Sequence, residues 1–199
     1  MKRMPAKRQS GFTLLELMVT LSVAAILSVL AYPNMRDFMR RNRAVEQSNG
    51  MQSNLQNARG QAAATRSYVS ICPVTAPGGL VCDVADGDYA NGWLIYTSSA
   101  PNIAYVAATD TLEQTVAAPT NTAILADTAG VLTYNSLGEL LVSTPAAGTP
   151  ANVVFDTCAE DNTGATINTT AVPGIQLSAA NSGRIASNQL VAGTSCTPP

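Results

Sequence analysis

Hydrophobic and polar positions divide the chain into three textures. From Phe12 to Tyr32, 21 residues are apolar apart from Glu16 and a few small hydroxyls. As a helix this run spans about 31 Å, enough for the hydrocarbon core of a bilayer. Pro33 ends the run and predicts a kink or a local loss of helix rather than a stop. Beyond it, residues 34–66 keep a helical period, with Met35, Phe38, Val45, Met51, Leu55, Ala58 and Ala62 forming a narrow apolar stripe. From Ser67 the pattern changes to short β-rich runs separated by Gly, Pro, Asn and Asp. Strands are expected in SYVSIC (67–72), GWLIYT (92–97), TAIL (122–125), GVLTYN (130–135), ELLV (139–142), NVVFDTC (152–158), GIQLSA (174–179) and GRIAS (183–187). TDTLEQTVAAPTNTA (109–123) and STPAAGTPA (143–151) read as loops. The expected class is α+β: a long N-terminal helix, half membrane and half amphipathic, on an antiparallel sheet domain.

Charge is distributed unevenly. The first 11 residues hold Lys2, Arg3, Lys7 and Arg8 and no acid, whereas beyond Arg66 a single cation, Arg184, faces ten acids, a balance of −9. That asymmetry places the N-terminus in the cytoplasm and the acidic domain across the membrane. It also disfavours a polyanion as partner. Arg36, Arg40, Arg41 and Arg43 cluster just past the apolar run, where lipid headgroups, acidic neighbouring subunits or plain solvent are equal alternatives.

The chain has no histidine, which removes the commonest general base and metal ligand. Its four cysteines, Cys72, Cys82, Cys158 and Cys196, have no zinc-type or redox C-x-x-C spacing. Their even number fits two disulfides and an oxidising compartment. Proximity in sequence suggests Cys72–Cys82 and Cys158–Cys196, and all three connectivities stay open. DVADGD (83–88) reads as an acidic turn before a Ca²⁺ site. Asn168-Thr169-Thr170 is a glycosylation triplet of a kind that arises by chance, and Trp93 reads as core. No nucleophile–base pair or phosphate loop is present in the sequence, so an enzyme is the least supported class, and no cofactor or metal is expected.

Glu16 needs a reason, because an ionised group in an apolar helix costs a few kcal/mol unless it is paired or near an interface. A secretory signal cut after Ala31, or an uncut anchor, gives it none. A cut between Gly11 and Phe12 would create an α-amino group that a Glu on a neighbouring helix could neutralise, making Glu16 a register key for assembly. A basic leader ending in Gly11, then FTLLE and a long apolar run, resembles the type IV prepilin signature across residues 8–45. The resemblance implies a leader at 1–11, cleavage by a prepilin peptidase between Gly11 and Phe12, N-methylation of Phe12, an assembly role for Glu16, a membrane and assembly helix at 12–32, its amphipathic continuation at 33–66, and a periplasmic or extracellular β-rich domain at 67–199.

A second block, MQSNLQNARGQAAATRSYVSICP followed by NGWLIYT, resembles minor pilins and pseudopilins of the GspH/FimT class at Leu55, Gln56, Ala58, Arg59, Ala62, Cys72, Gly92 and Trp93. The late Cys158 and the Gly183-Arg184 pair extend the likeness, which is most like the FimU- and FimT-type minor pilins. It implies a minor pilin that primes pilus assembly and links a tip complex to the fibre. Its implied partners are other minor pilins, the major pilin, the inner-membrane assembly machinery and the inner membrane itself, where it would sit before assembly into a surface fibre. A type II secretion pseudopilin and a DNA-uptake adaptor are the alternatives. FimT-type adaptors carry a Gly-Arg-x-Arg motif; here Gly183-Arg184-Ile185-Ala186 lacks the second Arg, so Arg184 reads as a structural strand residue before a DNA contact.

Overall fold

The computed structural model describes residues 12–142, 149–150 and 152–198. The leader with Gly11, and residues 143–148 and 151 of the expected loop, lie outside the described residues. The chain divides into two compact units, Met1–Asp37 and Phe38–Pro199.

One helix, α1 (Leu14–Thr65), runs on through Pro33. Its buried positions in the second unit are Ala44, Ser48, Met51, Asn54, Leu55, Ala58 and Ala62. Asn54 apart, they alternate steps of four and three, the seam of a helix packed along its length. This corrects the upper part of the expected stripe: Met35, Phe38 and Val45 are exposed, and Ala44 and Ser48 take the inner positions. Small residues win there because Ala44 meets Ala159 and Val172 directly, leaving no volume for a larger side chain. The helix ends where Arg66 takes a left-handed conformation at φ 56°, a C-terminal stop more usual for glycine or asparagine.

Eleven strands follow among the described residues: β1 (Tyr68–Pro73), β2 (Gly92–Ser98), β3 (Thr111–Ala117), β4 (Thr122–Ala126), β5 (Leu132–Tyr134), β6 (Leu140–Val142), β7 (Thr149–Pro150), β8 (Val153–Glu160), β9 (Thr166–Ile167), β10 (Ile175–Ala179) and β11 (Ile185–Gln189). All eight expected runs contain a strand. The strands form two sheets, ordered β3-β2-β1-β5-β6-β7 and β11-β10-β8-β4, with β9 also pairing β8. Every named pairing is antiparallel.

The main core explains the split. Val69, Ile71, Trp93, Ile95, Leu132, Tyr134, Leu140 and Val142 from the first sheet meet Ile124, Val153, Phe155, Leu177 and Ala179 from the second and the inner face of α1. β1 and β2 are buried on their other face too, where Val74, Cys82, Val131 and Tyr105 cover Cys72, Leu94 and Tyr96. That second cover is why SYVSIC and GWLIYT read as continuous rather than alternating runs. β3 corrects the loop expected at 109–123. Only Leu112 and Val116 are drawn partly inward, so an edge strand with five exposed residues carries too little hydrophobic pattern to read as one.

The two disulfides are Cys72–Cys82 and Cys158–Cys196, with Cα separations of 5.5 and 6.2 Å. The first closes a hairpin-like loop in which Thr75 N–H donates to Val81 O. The second ties the C-terminal tail to β8.

Phe155 is fully buried and meets the Tyr89 ring edge-on at 5.6 Å. Phe155→Ala is expected to destabilise the domain by about 3–5 kcal/mol. Urea unfolding of the full chain in detergent, with exposed Val84→Ala as the unaffected control, measures this.

Candidate assembly interface and its support

The first unit presents an uncovered apolar helix. Phe12, Leu14, Leu15 and Val29 are each more than 70 % exposed. The hydroxyls on this stretch are satisfied internally: Thr20 donates to Leu17 O, Ser22 to Met18 O and Ser28 to Ala24 O. With those groups turned back onto the backbone, the outer surface from Leu14 to Val29 is apolar except for Glu16. No single helix is long and apolar enough to cross a membrane among the described residues; the stretches Leu14–Val29 and Asn34–Thr65 pass by length and composition only as a pair.

Thr13 Oγ1 accepts the N–H of Glu16 at 3.2 Å, and Thr13 O accepts the N–H of Leu17. Thr13 is therefore the N-cap and Glu16 the third helical residue, the T-x-x-E arrangement of a capping box. A carboxylate in the first turn also meets the positive end of the helix dipole. The sequence signal for this cap was plain in Thr13-Leu14-Leu15-Glu16, yet the assembly reading alone does not use it.

In the second unit, Arg59 holds two turns at once. Its Nε donates to Gly138 O at 3.1 Å, in the β5–β6 turn, and its Nη2 donates to Ser182 O at 3.0 Å, in the β10–β11 turn. A third bond, Leu140 N–H to Asn181 O at 2.8 Å, joins the same two turns directly. The guanidinium can lie this close because both turns are glycine there. Gly138 and Gly183 both have φ of +75°, and a Cβ on Gly183 would collide with Gly138 O and the Arg59 side chain. Thus Arg59 of the LQNAR stretch and Gly183 of the Gly-Arg pair, more than 120 residues apart, form one structural unit. Burial raises the pKa of the Tyr134 phenol well above its ordinary value, and the nearby Arg59 charge offsets only part of that rise.

Arg184 is exposed and sits in the turn before β11, where its carbonyl accepts Ala180 N–H. This corrects its placement as a strand residue. Near β4 and β8, burial raises the Glu160 carboxyl above its ordinary pKa, and Asp88 and Asp161 add to the rise. Asp161 is held low by the Thr163 hydroxyl, then by the backbone N–H groups of Ala165 and Thr163. In DVADGD the carboxylates turn inward on their own loop: Asp83, Asp86 and Asp88 accept from the N–H two residues on. These are Asx turns, the local use that short acids serve in loops. No cluster of three His, Cys, Asp or Glu suited to a metal is found among the described residues.

Asn168 is spent on structure. Its Nδ2 donates to Val191 O, Thr194 O and Thr194 Oγ1, and its Oδ1 accepts Gly174 N–H. With every polar atom engaged and the residue buried, the triplet it opens is a brace for the tail rather than a glycan acceptor. Phe12 and Glu16 belong to the first unit, and the cysteines and Arg184 to the second.

Two family models match. The prokaryotic N-terminal methylation motif covers residues 6–32, and type II transport protein GspH covers residues 47–172. None of the curated proteins matches. Among solved structures, the type IV minor pilin FimU of Pseudomonas aeruginosa aligns in two crystal forms. One gives a TM-score of 0.52 at 19 % identity over 78 % of this chain and 98 % of that one. The other gives 0.47 at 21 %, over 75 % and 96 %. The first likeness shows that the fold is that of a type IV pilin.

Two tests follow from the geometry. Arg59→Lys is expected to destabilise nearly as much as Arg59→Ala, by roughly 1.5–3 kcal/mol, because one ammonium cannot reach both carbonyls with the guanidinium fork. Chemical denaturation compares them. Separately, burial raises the pKa of Asp156 on β8, against a bond from Gln176 Nε2 at 3.1 Å and with Asp127 adding to the rise. The native state then holds its proton more tightly than the unfolded chain, so stability falls as pH climbs from the ordinary carboxylate pKa through the raised native one. Asp156→Asn should flatten that slope and raise stability at neutral pH, as thermal unfolding from pH 4 to 8 would show.

Proposed function

This chain belongs to the GspH family, and we propose that it works as a minor pilin of a type IV pilus, priming assembly and joining a tip complex to the fibre. One observation carries the reading. A segment matching the N-terminal methylation motif continues into a helix whose outer surface is apolar but for Glu16, ahead of a domain with the type IV pilin fold. An apolar surface of that size is unstable in water and finds cover in lipid or in other helices of its kind.

In this reading residues 1–11 are a leader removed by a prepilin peptidase, and Phe12 becomes the methylated N-terminus. Residues 12–32 hold the subunit in the inner membrane as a single pass with the N-terminus cytoplasmic, until extraction into the fibre. Glu16 then pairs with the N-terminal amine of a neighbouring subunit. Residues 67–199 supply the surface toward other minor pilins and the major pilin. The family's description as a type II transport protein favours a second reading, a secretion pseudopilin sharing all the N-terminal chemistry. A DNA adaptor is not proposed, since Arg184 stands alone among ten acids.

Gly11→Ala is expected to leave the leader attached, read as a mass difference on the purified subunit; normal processing would overturn the prepilin reading. Glu16 is tested by two variants, because it occupies the capping-box position and also carries charge. Glu16→Gln keeps the capping geometry and removes the charge. Loss of fibre incorporation in Glu16→Gln as well as Glu16→Ala supports amine pairing. Loss in Glu16→Ala alone assigns Glu16 to the cap. Pilus counts and secretion assays in a strain lacking the gene separate the two machines.

A further inference from the structure

We propose that β11 is a docking edge that accepts an extended, carboxylate-bearing strand from a different subunit of the same fibre. The proposal rests on the pilin reading above. Sheet edges expose unpaired backbone groups, and folded proteins usually block them. Among the described residues the other edges are blocked. β3 carries a bulge at Glu113, whose carboxylate accepts from Thr97 Oγ1. β4 is covered by residues 87–89, through Tyr89 N–H to Ile124 O and Ala126 N–H to Gly87 O. β7 and β9 are two residues each, and β7 includes Pro150.

β11 has none of these devices. Its five residues, Ile-Ala-Ser-Asn-Gln, carry no charge, no proline and no bulge, and four of them are exposed. Its bonding phase is fixed at both ends. Ala180 N–H donates to Arg184 O, and Leu190 N–H donates to Gly174 O. With Ile185 opposite Ala179 and Gln189 opposite Ile175, Ala186 and Asn188 turn their backbone groups toward β10. Ile185, Ser187 and Gln189 turn theirs away from the sheet. Three N–H donors and three C=O acceptors therefore stand in a regular row on an open edge.

The surroundings define the occupant. Val153, Ala179 and Ile185 lie side by side across three strands; the first two are buried and Ile185 is only partly so. A partner strand with an apolar residue beside Ile185 would complete that row. Arg184, exposed at the start of the strand, calls for a carboxylate on the partner, and it is the only cation beyond Arg66. A second copy of β11 has no acid to offer Arg184, and two domains of −9 repel each other. The fit is to a heterotypic acidic strand, an addition in which main-chain bonds give affinity and side chains select the partner.

The test compares two proline variants of the full chain. Ser187→Pro removes an outward N–H and leaves the β10 ladder intact, whereas Ala186→Pro removes an inward one and should unfold the hairpin. Ser187→Pro is expected to keep the wild-type melting temperature while incorporation into sheared fibres drops about tenfold. Hydrogen exchange at Ile185, Ser187 and Gln189 should be fast in the isolated chain in detergent and slowed about a hundredfold in fibres. Normal incorporation of Ser187→Pro, or fast exchange at these amides in fibres, overturns the edge and leaves the pilin reading standing. Absence of the wild-type chain from fibres removes the pilin reading and the proposal with it. Protection that grows with concentration in the purified chain would make the occupant a second copy, and also overturns the proposal.

Discussion

The globular unit depends on one guanidinium. Arg59 projects from the helix and donates to carbonyls in two turns that belong to different sheets. Hydrophobic burial between α1 and the sheets supplies most of the driving force, but it is non-directional and sets no angle between layers. The fork of Arg59 does set one. Its planar donors fix Gly138 O and Ser182 O relative to the helix, and the Leu140–Asn181 bond fixes the turns relative to each other. Glycine at 138 and 183 is the condition for this approach.

A parallel economy governs the first unit. Thr13 and the hydroxyls of Thr20, Ser22 and Ser28 bond to the helix's own backbone, which leaves Glu16 as the single polar feature on the apolar surface from Leu14 to Val29. The same carboxylate sits at the positive end of the helix dipole, where its charge is already partly compensated. A group stabilised locally can wait in an apolar environment for a partner at lower cost than an isolated one. Capping and assembly are thus compatible uses of Glu16.

The second sheet shows how polar groups can be buried without becoming a site. Burial raises the pKa of Asp156 while Gln176 bonds its carboxylate, Asn168 spends all its bonding atoms on the tail, and Asp83, Asp86 and Asp88 close their own turns. Each carries a residue type that suggests chemistry in isolation. Their partners absorb that chemistry into the fold, and β11 is left as the exposed feature of this sheet with unspent bonding groups.

How much of this was legible beforehand follows from the range of each interaction. The apolar run with Glu16, the helical period, eight of the strands and the proximity pairing of the cysteines are local in sequence, so periodicity and spacing expressed them. The T-x-x-E cap was equally local. β3 escaped because an edge strand exposed on most positions has no alternation to display. The seam at Ala44 and Ser48 escaped because small residues pack inward only where Ala159 and Val172 approach, which no helical period encodes. The sequence by itself determined the class of the chain, its apolar N-terminal run and the acidic, cysteine-bearing character of its distal domain. Tertiary structure alone decided that the strands form two sheets, that Arg59 and Gly183 meet, and that β11 is left open, because those depend on how segments distant in sequence pack together.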